Sequence, residues 1–271
     1  MVTLIIGKHS NLSNALYPKI DNCFLISSRE LLENIDILSG FKDESINIVF
    51  NNFQQATQLN NLENAGSYIT NSILITAKVL DYFKTANINK IIYTSSSSVY
   101  GNNILCNEKD ELKPMNLHAS LKVANEKLIE KYCNDAKIDY TIARIFNMYG
   151  GDDNFSIVSK IINAYKTDQE LTIVNNGNAI RDFIHIDDVV EIYVRLLEIT
   201  GPNVVNIGTG NGSSIKNILD FLANNKITVR TKNIFRDELK TSTADIRLLD
   251  NILHKDDFIK VEDYLQQELK I

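Results

Sequence analysis

Short apolar runs recur along the first half of the chain, each followed by a segment whose apolar positions return at helical spacing. Val2–Ile6, Phe24–Ser27, Ile46–Phe50, Lys90–Thr94 and Tyr140–Ile145 are mostly apolar and contain no proline. Runs of this kind predict parallel strands covered on both faces; a strand with one wet face would alternate. Between them, Leu12–Ile20, Arg29–Leu38, Asn64–Thr85 and Met115–Ala136 predict helices. In the third helix Ile69, Ile73, Ala77, Val79 and Leu80 form the stripe expected to face a core. The alternation is that of βαβ units, so the fold class is α/β with a doubly wound parallel sheet. Between the second strand and Ile46–Phe50 there is room for one helix only. A full doubly wound half would carry a further strand there, so one unit is expected to be missing.

From about residue 151 the pattern changes. Helices are predicted at Phe155–Tyr165, Asp187–Glu198 and Ser214–Ala223, with strands at Leu171–Val174, Val204–Ile207 and Ile227–Val229. This is the pattern of a smaller α+β lobe, completed by Ala244–Lys270. Two domains are expected, 1–150 and 151–271, with the chain crossing between them. Composition narrows the possible partners. With 271 residues, 44% of them hydrophobic, the chain can bury a core without disulfides. Its three cysteines are few, odd in number and scattered, which fits free thiols in a reducing compartment. A net charge of −6 argues against general nucleic-acid binding. No leader-like segment and no run of eighteen apolar residues stands out, so a cytoplasmic protein with no membrane partner is expected. His9, His118, His185 and His254 are dispersed without metal-ligand spacing, and no metal is expected.

Candidate chemistry starts at the first loop, Gly7-Lys8-His9-Ser10-Asn11-Leu12-Ser13. A strand–loop–helix of this kind brings backbone N–H groups to a pyrophosphate, and glycines there allow close approach. Here only Gly7 is kept, with Ser10 and Ser13 at the other two positions. Gly7, Ser10 and Leu12 are the candidate dinucleotide contacts. The second strand ends Ile26-Ser27-Ser28-Arg29, without the carboxylate that binds a ribose 2′-hydroxyl. Arg29 could instead neutralise a 2′-phosphate, which favours NADP over NAD, and Ser28 is a further candidate cofactor contact.

Five later segments carry a resemblance: Tyr93 to Gly101 (YTSSSSVYG), His118 to Glu126 (HASLKVANE), Ala143 to Gly150 (ARIFNMYG), Arg181 to Val189 (RDFIHIDDV) and Asn206 to Gly210 (NIGTG). In this order and spacing the chain resembles the extended short-chain dehydrogenase/reductases that act on nucleotide-sugars, the NAD-dependent epimerase/dehydratase family. The resemblance implies a Rossmann domain holding NADP or NAD and a C-terminal lobe holding a nucleotide diphosphate-sugar. It also implies a homodimer built through the helices at Asn64–Thr85 and Met115–Ala136. By motif, Ser96 matches the catalytic Ser/Thr and Lys122 the catalytic Lys. Asn71 matches the Asn that helps hold the active-site helix. Ser97 and Asn147 match substrate contacts, and Arg181 and Arg236 match diphosphate-binding arginines, roles that suit a planar guanidinium.

One departure matters. The family's Tyr-x-x-x-Lys is His118-x-x-x-Lys122 here, on one helix face and one turn apart. An imidazolium is a competent acid near neutral pH, so the replacement predicts slower chemistry biased toward reduction, with activity falling as pH rises. A nearby lysine opposes that charged form. Family dehydratases carry Asp-Glu where Ser97 and Ser98 stand, and the epimerising Cys of the fucose-synthase branch is also Ser98. The resemblance therefore leaves a 4-keto reductase of surface-polysaccharide sugar synthesis as the first expectation. A C4-epimerase and a catalytically impaired binding protein are the alternatives.

Overall fold

The computed structural model describes residues 1–51, 63–253 and 257–270. His254 lies outside them. The chain divides into two compact units whose segments interleave: 1–99, 112–144 and 190–205 in the first, 100–111, 145–189 and 206–271 in the second.

The first unit is built on a six-stranded sheet. Its elements are β1 (Val2–Ile6), α1 (Asn11–Leu16), β2 (Cys23–Ile26), α2 (Ser28–Glu33), β3 (Ser45–Phe50), α3 (Glu63–Tyr68), α4 (Ile75–Tyr82) and β4 (Asn87–Ser96). The rest of the chain adds β5 (Asn103–Cys106), α5 (Leu117–Ala136), β6 (Asp139–Ile145), β7 (Asn147–Tyr149), α6 (Ile157–Thr167), β8 (Leu171–Val174), β9 (Ile180–His185), α7 (Ile186–Glu198) and β10 (Val204–Ile207). It ends with β11 (Gly212–Ser214), α8 (Ile215–Asn224), β12 (Thr231–Ile234), β13 (Thr241–Ala244), α9 (Arg247–Leu253) and α10 (Val261–Leu269).

The sheet order is β10-β6-β4-β3-β1-β2, and β1 pairs in parallel with β2 and β3, as β3 does with β4. This is the expected α/β architecture. The sheet ends at β2, whose Phe24 is exposed, as the short connection before β3 requires. Leu4, Ile6, Ile48, Phe50, Ile91 and Tyr93 from the strands pack with Leu31, Ile75, Val79 and Ile129 from the helices in one core cluster.

Three expectations need correction. The helix expected over Asn64–Thr85 is α3, a π-helical turn at Ile69–Leu74, and α4. The wider turn rotates the buried face, so Ile69 and Leu74 are exposed while Tyr68, Ser72, Ile75 and Thr76 are buried. Second, Val204–Ile207 is the edge strand of the six-stranded sheet, not part of a separate lobe. Third, Ile227–Val229 forms no strand; the pairing runs through Thr231–Ile234, in parallel with β8.

The second unit holds a five-stranded sheet, β11-β9-β13-β5 with β7 on β9, and the two-stranded β12-β8. Its organising residue is Asp182. The buried carboxylate accepts hydrogen bonds from Thr209 N and Oγ1, Gly210 N and Ala244 N at 2.7–3.0 Å. Gly208 packs so closely on it that a Cβ would lie 2.7 Å from Asp182 Oδ2.

Candidate functional site

In the first unit, the candidate chemical groups come from α5 and the end of β4. Asn116 caps α5 by accepting from Ala119 N at 2.8 Å, which starts the helix just before His118. His118 and Lys122 follow on one face. Lys122 is buried and donates from Nζ to the Thr94 carbonyl at 2.7 Å, with its ammonium 5.1 Å from the Tyr93 ring centre. Burial lowers the Lys122 pKa to about 7, against a smaller upward pull from Glu126. For His118, burial and then the Lys122 charge bring the pKa down to about 4. The imidazole is therefore neutral near pH 7. This corrects the expectation of an imidazolium acid: near neutral pH His118 offers one N–H to donate and one ring nitrogen to accept a hydrogen bond.

Sequence reasoning missed the residues that hold this pair. Tyr68 packs edge-on against His118, ring centres 5.9 Å apart, and burial raises its phenol to about 12. Asn125, one turn beyond Lys122, donates to Ser72 Oγ in the π-helical turn at 3.1 Å. Glu126 accepts from Ser95 Oγ and from Arg144 Nε and Nη2, the latter at 2.8 Å, as a fully buried ion pair. Thr94 Oγ1 and Tyr193 Oη share a 2.7 Å bond behind the strand. The available signal was spacing: Glu126 continues the face of His118 and Lys122, and Arg144 is a charge inside an apolar strand. Ser96, the last residue of β4, accepts from Ser98 N and Ser98 Oγ. Ser97 is buried in the following turn. Asn71 lies in the π-helical turn and donates to Ser67 Oγ at 3.2 Å.

The first loop tests the fit of a dinucleotide. Gly7 has φ +120°, a conformation that favours glycine. Ser10 caps α1, accepting from Ser13 N at 3.0 Å, and Asn51 donates to both Ser10 Oγ and Ser13 Oγ. Ser13 and Leu12 are buried, and the Ser13 hydroxyl is engaged by Ser10 and Asn51. Asn51 Oδ1 is buried with no donor among the described residues. The retained Gly7 and this spare acceptor are compatible with a bound dinucleotide, held mainly through backbone groups. Ser28 opens α2, capped by the Ser27 hydroxyl. Arg29 is exposed and lies 3.6 Å from Glu33 on the same helix.

In the second unit Asn147 donates to the Asp182 carbonyl at 3.1 Å. Arg181 donates to the carbonyls of Ile180 and Leu239 and lies 3.4 Å from Glu238 Oε2. Asn175 binds the same segment through the Arg236 carbonyl and Glu238 Oε1, leaving the Arg236 side chain exposed. Glu238 was not anticipated. Asp187 and Asp188 lie in the first turn of α7, where negative charge favours the positive end of a helix. His185 Nδ1 accepts from Asp187 N, and Asp188 is buried, accepting from Ile259 N at 3.0 Å. No cluster of metal-ligating side chains occurs among the described residues, and no helix there is long and apolar enough to cross a membrane.

Comparison with known proteins places the chain in a class: residues 20–208 match the NAD dependent epimerase/dehydratase family, and the chain belongs to it. Among its relatives, Protein CapI of Staphylococcus aureus is 35% identical over 62% of this chain and 52% of its own length. An ADP-L-glycero-D-manno-heptose-6-epimerase of Brachyspira hyodysenteriae is 31% identical over 77% of this chain and 69% of its own. The chain thus spans about half to two thirds of these curated relatives. In structure it is similar to MoeE5 in complex with UDP-glucuronic acid and NAD, with TM-score 0.88 and 20% identity over 100% of this chain and 98% of that one.

Proposed function

We propose that this protein is an NAD(P)-dependent nucleotide-sugar oxidoreductase whose net reaction is epimerisation at a sugar carbinol, with C4 the first candidate. The observation that carries this reading is the neutral His118 beside a buried Lys122. An imidazole in that state takes a proton from a sugar hydroxyl and returns it after the ring has turned, so it serves both halves of an oxidation–reduction cycle. Ser96 steadies the same oxygen by donating its hydroxyl. Lys122, while charged, stabilises the negative charge that develops there. Gly7, Ser10, Leu12, Ser28, Arg29, Asn71 and Lys122 are the proposed dinucleotide contacts. The dinucleotide, when bound, supplies a reversible acceptor for the hydrogen on carbon. Ser97, Asn147, Arg181 and Arg236 are the proposed contacts of the nucleotide diphosphate-sugar. Family membership supports the reaction class, and the relatives' names, among them a sugar 6-epimerase, support epimerisation.

A second reading, 4-keto reduction with NADPH, is favoured by Arg29. Among the described residues its ion pair is an exposed one with Glu33, of the kind worth little, so the guanidinium is available to a 2′-phosphate. The proposed setting for either reaction is the supply of a sugar for surface polysaccharide, in the cytoplasm and as a homodimer. The test is incubation of UDP-hexoses and UDP-uronates with NAD⁺ or NADPH, read by proton NMR. A C4 epimer with NAD⁺ supports the first reading. Consumption of NADPH by a 4-keto sugar with no epimer supports the second. Binding of dinucleotide without turnover of any sugar means a binding protein that has lost its catalysis.

A further inference from the structure

Four serines, Ser95 to Ser98, run from the end of β4 into the turn after it, and their hydroxyls have different fates. Ser95 donates to the buried Glu126 carboxylate. Ser97 is buried in the turn. Ser96 and Ser98 form a pair. The Ser98 backbone N–H reaches Ser96 Oγ at 3.2 Å, and the Ser98 hydroxyl reaches the same oxygen at 3.0 Å. A serine oxygen has two acceptor lone pairs and one O–H to give. Both lone pairs of Ser96 are filled by one neighbour, and its proton has no acceptor among the described residues. A hydroxyl that would otherwise rotate between giving and accepting is left able only to give.

We infer that Ser98 is a positioning residue: its side chain fixes Ser96 as a pure hydrogen-bond donor toward the reacting sugar oxygen. The inference rests on the functional reading above and adds to it a residue and a direction. A donor is what an oxygen gaining negative charge requires. A Ser96 oxygen free to accept could instead bond to a sugar hydroxyl and stabilise the ground state alone. The chain Ser98 O–H to Ser96 O–H to substrate oxygen also polarises in one sense, which strengthens the last bond. The arrangement explains why serine suits position 98, where a dehydration acid would be carboxylic. No proton is transferred at Ser98. It acts on the reaction only through Ser96.

The test is a double-mutant cycle on the full chain with the nucleotide-sugar that the NMR screen identifies. Ser98→Ala keeps the backbone N–H bond to Ser96 and so preserves the turn. It is expected to lower kcat about 5–20-fold with KM within about twofold, since only the donor's aim is lost. Ser98→Thr, which retains the hydroxyl, is expected to restore kcat to within about threefold of wild type. Ser96→Ala is expected to cost about 10²-fold, as loss of an oxyanion donor does, and Ser98→Ala is expected to cost nothing further in that background. An unchanged kcat in Ser98→Ala overturns the inference while leaving the function intact. So does a loss that is just as large when Ser96 is already alanine, which would mark a purely structural role. A wild type inert toward every sugar tested sinks the functional reading instead, and this inference with it.

Discussion

At His118 two effects act in the same direction. Burial disfavours the imidazolium, and the Lys122 ammonium one turn along α5 disfavours it again. The result, about 4, lies below the physiological range, while burial brings Lys122 into it at about 7. If a neutral base and a cation are both needed, activity rises with pH through about 4 and falls through about 7. A pH–rate profile flat from 5 to 9 contradicts this assignment. Stability has the same origin. Both groups hold fewer protons folded than unfolded, His118 between about 4 and 6.5 and Lys122 between about 7 and 10.5. Stability therefore rises with pH across each window. Tm measured against pH is expected to lose the upper rise in Lys122→Met and the lower one in His118→Phe. His118→Ala is expected to lower kcat by about 10²–10⁴-fold, the range of a lost general base. The identity of these residues was legible in the motif, and so was the sense in which Lys122 acts. The extent of burial was not, because it depends on Tyr68 and the π-helical turn from another part of the chain.

Among the elements, α5 and β6 are joined by the Arg144–Glu126 pair, both partners buried. A buried ion pair contributes little net stability, but removing one partner strands the other charge. Arg144→Ala is expected to cost about 3–5 kcal/mol in urea unfolding, and the double variant Glu126→Leu/Arg144→Met is expected to recover most of it. A double variant as unstable as the single one would mean that the pair does more than compensate itself. The strands of the first sheet were legible because runs such as Val2–Ile6 are apolar at every position and bounded by turn residues. The faces of the third helix were not. A regular stripe through Ile69 and Ile73 assumes an unbroken α-helical period, and the π-helical turn at Ile69–Leu74 resets the register, placing Tyr68 and Ser72 inside. Leu171–Val174 was read correctly and its partner was not: the apolar Ile227–Val229 looks more strand-like than Thr231–Ile234, which is selected by its pairing with β8.

For the molecule as a whole, the interleaving of two units means that each depends on strands distant in sequence. In the second unit Asp182 ties β9 to Thr209, Gly210 and Ala244, so Asp182→Ala leaves several buried donors without a partner. A loss of about 2–4 kcal/mol is expected in chemical denaturation. Arg181, next to it, already bonds Leu239 and Glu238, so its guanidinium is held in place for the diphosphate contact proposed above. Arg181→Ala is expected to weaken UDP binding at least tenfold in titration calorimetry, with dinucleotide binding unchanged. The ordered motifs made Arg181 and Asp182 legible as a segment of interest. Glu238 was not, since a single acid in a loop carries no periodic signal. The central claim, that a histidine in place of the family's tyrosine supports reversible oxidation of a nucleotide-sugar, is tested most directly by one measurement: proton NMR of a UDP-sugar deuterated at C4, incubated with the protein and NAD⁺ at pH 6. The account predicts a C4 epimer that retains the deuterium, because the same dinucleotide receives and returns it. An unaltered sugar in a sample where NAD⁺ is bound contradicts it.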